Sequence, residues 1–543
     1  MSKRVPLALA VGLVLCAGAQ NLAAQRNRIA APVDRRDTVR LTGHIHPLAT
    51  AANERGRADA SMPMPGITLF FRPTADQQKA LDDLLARQQD PGSPDYHNWL
   101  TPEQYADRFG LSQADMAKIR AWLESEGFTI ALTARGRNSI TFSGTAGQVE
   151  KTFQTEIHRY FVDGQMHYAN STEPSIPAAL GGIVGSIRGL HDFKPRPPRA
   201  RITQPRYDNP PNQGGGYQIA PDDAAVIYDY KTLYSQNING AGQNVVIVGQ
   251  VQIATSDIAA FRTMFNLPAS APTLVPVPNL PLPPTGAQDS GDLGESDLDI
   301  ETVGGVARGA TVIFVYSNNV EDAITYAIDQ NLAPVLSSSY GLCEALATQP
   351  GTLSDQTLAE QANAQGMTWL SAAGDNGAVD CYGQVKGDPG LGVDEPGSIP
   401  QVTSVGGTEL NEGSGNYWAS TNNASDASAL SYIPETTWND SAIDGTASAS
   451  GGGSSMFFTR PSWQTGSGTF SSDGMRDVPD VSFSASADHD GWLIYSGGSL
   501  SIFGGTSVSA PLFAGILTLL NQYEVVNGYQ KTPGLGNVNP KLY

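Results

Sequence analysis

Apolar positions recur along the first third of the chain with two alternating periods. Ile67 to Phe71 reads as a strand, and Ala75 to Gln89 carries an apolar stripe at Leu81, Leu84 and Leu85 that predicts a helix. Thr101 to Phe109 starts with a threonine cap and Pro102 at the first helical position, and Ser112 to Glu126 is a helix capped by Ser112 and ended by Gly127. Strands over Thr129–Thr133 and Ser139–Ser143, a helix over Thr145–Phe153 and strand material near Glu156–Val162 complete the region. Short helices mixed with hairpin-like strands predict an α+β domain. The segment before it, Gln25 to Asn53, is charged and aperiodic, and is expected to be mobile.

The pattern changes after Lys194. Lys194 to Gly216 is rich in proline, glycine and arginine, with no apolar period, and reads as an exposed, cleavable linker. Beyond it, Val245–Val251, Thr311–Tyr316, Pro334–Ser338 and Thr368–Ala373 are short, continuously apolar runs. Helical stretches at Thr255–Phe265, Glu295–Val306, Val320–Gln330 and Ser354–Ala364 separate them. Buried strands alternating with helices predict a parallel α/β sheet, whose sites lie at the strands' carboxyl ends. Asn411 to Gly453 is a Ser/Gly/Asn-rich loop region.

A chain of 543 residues accommodates both domains. Lys3 and Arg4, the apolar run Val5 to Cys16 and Ala17-Gly18-Ala19 form a secretory signal over residues 1–19, too short to span a membrane. An exported chain can oxidise its remaining cysteines, Cys343 and Cys381, although spacing alone does not pair them. Charge is split: residues 217–543 hold 33 acidic and 8 basic side chains (−25), and residues 1–216 hold 20 and 25 (+5), together the −20 of the chain. Strong acidity argues against nucleic acid as a partner and predicts that the basic front docks on the acidic back. In acid, protonation of the carboxylates would weaken that attraction.

The stretch Gly504 to Pro511 (GGTSVSAP) places Ser507 in a Gly-Thr-Ser turn entering a small-residue apolar helix. A serine hydroxyl needs a base. Six of the seven histidines precede the linker, and His489, in a turn, is the only one behind it. Carboxylates supply an alternative. In Gly294–Glu301 (GESDLDIE), Glu295 and Asp299 are at i and i+4 and share a helix face, where a close pair can hold and relay one proton. Asp297 and Glu301 are expected to be solvated acids near the helix start. In Ser371–Ala378 (SAAGDNGA), Asp375 ends an apolar strand; protonated, it can donate to an oxyanion.

Together, ESDLDIE, SAAGDNG, PGSIPQVTSVGGT (396–408), ETTWND (435–440), SGGGSSMFFTRPSWQ (450–464) and GGTSVSAP resemble the sedolisins, the serine-carboxyl peptidases, from about Met62 to Tyr543. The resemblance implies a ferredoxin-like α+β activation propeptide of the pro-kumamolisin type before a subtilisin-like α/β/α catalytic domain. The division expected is signal 1–19, mobile segment 20–53, propeptide 54–193, linker 194–216 and peptidase domain 217–543. It further implies Glu295 as general base, Asp299 as its partner, Ser507 as nucleophile and Asp375 as oxyanion acid. Ser337 to Gly341, with Ser338, Ser339, Tyr340 and Gly341, is similar to the family's substrate-binding edge strand. Tyr340 stands where tryptophan is common, and Gln250 stands near the place of a further relay glutamate.

The implied activity is that of a secreted, extracellular or periplasmic, acid-active endopeptidase made as a zymogen. Its partners would be protein or peptide substrates and its own propeptide, with no nucleic acid or membrane, in a monomer. Family members bind calcium through a C-terminal loop; the aspartates of that loop are absent from this sequence, so calcium is expected without nameable ligands. Three alternatives are a histidine-using subtilisin type, a non-catalytic secreted relative that keeps the fold, and a tripeptidyl-releasing exopeptidase.

Overall fold

Threonine caps open three helices of the front unit. The hydroxyls of Thr74, Thr101 and Thr145 each accept from an N–H three residues on, and the glutamines there (Gln77, Gln104, Gln148) return an acceptor to the cap's own N–H. Each reciprocal pair satisfies two donors that a helix start leaves orphaned. The helices are Ala75–Gln89, Pro102–Phe109, Gln113–Ser125 and Ala146–Phe153. With them goes an antiparallel sheet in the order Thr129–Thr133, Ser139–Thr145, Pro63–Phe71, Val184–Arg188. Ile67, Leu69, Ile140 and Phe142 of the sheet meet Trp122 and Phe153 of the helices in one core.

The computed structural model describes residues 26–197, 218–283, 285, 291–381, 390–466, 469 and 473–543. The expected signal peptide, residues 20–25 and linker residues 198–216 lie outside the described residues. The expectation of a mobile segment up to residue 53 is corrected for residues 26–53. Ile29 is buried in the front core, the Asp115 carboxylate accepts from the Arg28 and Ile29 N–H groups, and strand Thr38–Arg40 pairs with Ser175–Pro177. The ordering groups are more than 80 residues away in sequence, so no local period announces them.

The back unit is the expected α/β/α sandwich. Its sheet runs Thr273–Pro276, Thr311–Tyr316, Asn244–Gly249, Val335–Ser338, Thr368–Ala372, Thr403–Leu410, Glu435–Thr437, with Val481–Ser484 also paired to Thr403–Leu410. All pairings are parallel except that of Glu435–Thr437. Successive residues of Asn244–Gly249 point to opposite layers. Val245 and Ile247 pack with Leu298 and Val303 of helix Asp292–Val306 and Leu512 of helix Thr506–Val526. Val246 and Val248 pack with Ala323 of helix Val320–Gln330 and Leu358 of helix Gln349–Ala364. Burial on both faces explains why these strands read as unbroken apolar runs. Cys343 and Cys381 form a disulfide, with Cα atoms 5.1 Å apart.

The front unit sits on the outer face of the Val320–Gln330 and Gln349–Ala364 helices. Arg188 is buried there, paired with Asp355 and lying 3.6 Å from Glu321, with its guanidinium 4.7 Å over the Phe70 ring. Asp329 accepts from the N–H groups of Arg135 (3.0 Å) and Gly136 (2.9 Å), and Glu360 from the Gln78 amide (3.1 Å). The basic front therefore meets the acidic back partly through buried ion pairs and charged hydrogen bonds. Among the described residues, no helix is long and apolar enough to cross a membrane.

Candidate active site

Three loop-to-helix or strand-end positions converge at the carboxyl ends of the central strands. Helix Thr506–Val526 begins after Gly505, whose φ of 108° suits a residue without Cβ. A Cβ on Gly505 would stand 2.5 Å from Asp375 Oδ2, so glycine is also what lets the carboxyl lie against this turn. Asp375 follows strand Thr368–Ala372. Its Oδ1 accepts from Thr506 N and Thr506 Oγ1, both at 2.8 Å, while Oδ2 is buried without a partner. Burial pushes this carboxyl up to about 6, against the Thr506 bonds that favour the anion. In mild acid it carries a proton, and with Oδ1 already accepting twice, Oδ2 is the oxygen free to donate.

Helix Asp292–Val306 is buried on every side, and Glu295 and Asp299 are 2% and 0% exposed. Burial, then the neighbouring Asp299, raises the Glu295 carboxyl well above the usual carboxylate range. The Ser507 hydroxyl faces Glu295 and favours its ionised form, although no hydrogen bond of ordinary geometry closes between them in this state. Burial also raises Asp299 well above its ordinary value, and the Ser339 hydroxyl, donating to Asp299 Oδ1 at 2.7 Å, opposes the rise. Glu295 Oε1, Asp299 Oδ2 and Ser507 Oγ are all buried without a hydrogen bond. A proton can be held and passed here with little competition from water.

His489 is no rival base. It lies against Asp490 (3.1 Å) and Glu412 (3.5 Å), and the Asp490 hydrogen bond leads in pushing it up to about 9. An imidazole held protonated cannot take a proton.

The stretch expected at a substrate edge divides between the sheet interior and one backbone position past its end. Val335–Ser338 is an interior strand, hydrogen-bonded to Asn244–Gly249 and Thr368–Ala372. The Ser338 hydroxyl is turned into the sheet, accepting from Trp369 Nε1 (3.0 Å) and donating to Leu370 O (3.3 Å). Tyr340 is buried beside Asp292, Glu295 and Asp299. The free edge is Gly341, past the strand's end. Arg196 pairs with it antiparallel through two 3.2 Å bonds, Pro195 O accepts from Gln250 Nε2 (3.1 Å), and the Lys194 ammonium donates to Asn318 O. The start of the linker thus lies extended along this edge.

Asp297 and Glu301, expected to be solvated, are 0% and 1% exposed. They face away from Glu295 and Asp299 and hold the hairpin Trp492–Ser496/Ser499–Phe503, Asp297 through Ser496 Oγ (2.7 Å) and Glu301 through Tyr495 N (2.8 Å). Their charges looked like a helix-start pattern because the hairpin that buries them lies nearly 200 residues on. The sequence reading also passed over Thr506, the double donor to Asp375, and Asp292, which accepts from Gln250 at 3.1 Å. The adjacency of Thr506 to Ser507 in GGTSVSAP was the available signal. Among the described residues, no group of three or more His, Cys, Asp or Glu side chains is arranged to hold a metal ion. Asp297 and Glu301 each have one oxygen bonded to the hairpin, through Ser496 Oγ and Tyr495 N. None of the described acidic clusters is arranged to hold the calcium that the resemblance implies.

Fold and site define a subtilisin-like α/β hydrolase whose candidate nucleophile faces carboxylates. Residues 50–193 match the family model described as "Pro-kumamolisin, activation domain", and residues 286–530 match "Subtilase family". The chain is 31% identical to xanthomonalisin of Xanthomonas sp. (strain T-22) over 80% of its length and 55% of that protein's, so it spans little more than half of that relative. It is 30% identical to sedolisin of Pseudomonas sp. (strain 101), covering 80% and 73% of the two chains. To kumamolisin of Bacillus sp. (strain MN-32) it is 27% identical, covering 93% and 87%. The chain belongs to the sedolisin family of serine-carboxyl peptidases, as a zymogen-type hydrolase with a pro-kumamolisin activation domain.

Proposed function

We propose that the protein is a secreted, acid-active serine-carboxyl endopeptidase that acts as a monomer on protein and peptide substrates. Signal 1–19 directs export, residues 54–193 form the activation propeptide, linker 194–216 is cut, and 217–543 is the peptidase. Ser507 attacks the peptide carbonyl, and Glu295 takes its proton and later returns it to the leaving amine, with Asp299 sharing that proton. The Asp375 carboxyl and the Ser507 backbone N–H hold the oxyanion. An acyl-enzyme forms and water clears it. The observation that carries this reading is the unpartnered Asp375 Oδ2, lying against Gly505 two residues before Ser507.

In the precursor the propeptide keeps the site closed by laying Lys194–Pro197 along Gly341. Acid release has its support in the histidines of the front unit rather than in the interface carboxylates. Burial lifts Asp355 to about 6 and Glu360 to about 7, so the seated state holds their protons more tightly than open carboxylates would. Falling pH favours seating as far as these groups are concerned. The buried histidines of the front unit have the opposite sign.

The test is to shift the full-length precursor and its Ser507→Ala variant to about pH 4, near ordinary carboxylate values, and follow mass on a gel. The expected result is loss of the front half by the parent alone, then digestion of a denatured protein into internal fragments rather than tripeptides. A parent that neither processes nor digests overturns the reading.

A further inference from the structure

We infer that Ser339 is a positioning residue that ties the orientation and charge of Asp299 to the nucleophile's helix, rather than a substrate contact. The inference rests on the reading of Glu295 and Asp299 as the base pair. Ser339 is fully buried immediately after strand Val335–Ser338, and its hydroxyl makes two contacts. It donates to Asp299 Oδ1 at 2.7 Å and stands 3.4 Å from the Ser507 carbonyl oxygen.

The second contact has a cause in the sequence. A helical carbonyl accepts from the N–H four residues on, and four residues after Ser507 is Pro511, which has none. The Ser507 carbonyl lacks its helical donor, and the Ser339 hydroxyl stands where a replacement would be. One hydroxyl has one proton to give. While Asp299 is ionised, the short charge-assisted bond holds it there. Once Asp299 is protonated and a poorer acceptor, the hydroxyl is freed toward Ser507 O.

Donation to Oδ1 fixes the Asp299 carboxyl and leaves Oδ2, buried and unpartnered, as the oxygen for the relayed proton. It also favours the Asp299 anion, and that anion strengthens Glu295 as a base. The charged or titratable groups around the pair are Asp292 on the same helix, Asp375 after its strand, and Tyr340 beside Ser339. None of them donates to Asp299 Oδ1 in place of Ser339.

The experiment compares processed enzyme from full-length precursors carrying Ser339→Ala, Ser339→Cys and Ser339→Thr with the parent, measuring kcat and KM from pH 2 to 6. For Ser339→Ala the acid limb of kcat/KM should move up by about one pH unit, since a bond to a charged group is lost. In the acid region kcat should fall roughly tenfold with KM within about twofold. Thr keeps the hydroxyl and should restore the limb; Cys, a weaker donor, should fall between. If Ala does not yield folded enzyme, an unshifted limb in Cys overturns the inference. So does an Ala variant with a raised KM and an unmoved limb, the signature of a substrate contact, or one with the parental profile. Asp299→Asn run in parallel separates the two readings: parental activity in that variant removes the base pair itself, whatever Ser339 does.

Discussion

Acid release of the propeptide is assigned to histidines that the fold keeps neutral. His46 is 5% exposed, stacked on Phe193 at 4.3 Å and tilted against His191 at 4.6 Å, while His167 stacks on the other side of Phe193 at 4.5 Å. Burial, then the neighbouring His191 and His167, lowers His46 from 6.5 to about 2. His44 and His191 are lowered by burial as well. The facing groups are Glu173 beside His44; Asp192, Glu321 and Arg188 beside His191; and Asp192 at 3.2 Å from His167. A histidine with a depressed folded value is fully accommodated above its unfolded value. Stability is then lost as pH falls below 6.5, until the folded value is reached. At pH 4 His46 alone accounts for about 3 kcal/mol, some 2.5 units at 1.36 kcal/mol each. The stack anchors Phe193, directly before the Lys194–Pro197 stretch that lies along Gly341, so its loss loosens the plug. The assay is urea unfolding of the front unit at pH 7 and pH 4 in Ser507→Ala precursor, with and without His46→Phe. Phenylalanine keeps the stacking and loses the Leu48 N–H acceptor, a penalty of about 1 kcal/mol that is the same at both pH values. The parent should lose roughly 3 kcal/mol more than the variant between the two pH values. Equal losses would refute the assignment.

Three further outcomes are expected. Glu295→Gln or Asp299→Asn should block self-processing at about pH 4 and lower turnover of trans-processed enzyme by roughly 10²–10⁴-fold, the scale of a lost general base; normal self-processing by Glu295→Gln would count against the carboxylate base. Gly505→Ala forces a Cβ to 2.5 Å from Asp375 Oδ2 at a φ of 108°, so thermal unfolding should register a loss of about 1–3 kcal/mol with near-complete loss of activity; parental activity would contradict the placement of Asp375. Burial raises Asp297 to about 7, so the stability it allows is present below its unfolded value near 3.8 and is lost as pH rises through 7. Asp297→Asn, which keeps an acceptor for Ser496, should flatten that decline in melts between pH 4 and pH 8, and an unchanged slope would show that Asp297 does not titrate there.

Local signals made much of the architecture legible. The Thr101 cap with Pro102 behind it and the Ser112 cap marked helix starts, and apolar runs such as VVIV marked strands buried on both faces. The i, i+4 spacing of Glu295 and Asp299 put both on one face of a helix whatever its surroundings. Long-range contacts were not legible. Residues 26–53 show no period because their order comes from Asp115 and from the Ser175–Pro177 strand. The SSSYG stretch was expected at a substrate edge from the family resemblance alone, which does not say which of its atoms face an incoming chain. The Ser338 and Ser339 hydroxyls are consumed by Trp369 and Asp299, and only the backbone of Gly341 is left for an incoming chain. Opposite charge on the two halves pointed to docking and to release in acid, but at Asp355, paired with Arg188, and at Glu360, bonded to the neutral Gln78 amide, desolvation outweighs the partner and raises the carboxyl, so these two groups do not favour release.

The acid helix explains why four carboxylates are packed into seven residues. A residue advances the helix by about 100°, so Asp297 lies about 200° from Glu295, and Glu301 about 200° from Asp299. One pair faces Ser507. The other grips the hairpin through Tyr495 and Ser496, and that hairpin's second strand ends at Phe503, four residues before Ser507. Gly504 and Gly505 then lead into the nucleophile's helix, which packs directly against the acid helix, Gly515 lying so close to Val306 that a Cβ there would stand 2.5 Å from it. The helix that carries Glu295 and Asp299 therefore also fixes the segment that leads into Ser507. The distance between Glu295 and Ser507 is set within one packed unit, without relying on the loops around it. Burial makes that arrangement stable mainly where its carboxyls are protonated, the same pH region in which Asp375 is protonated.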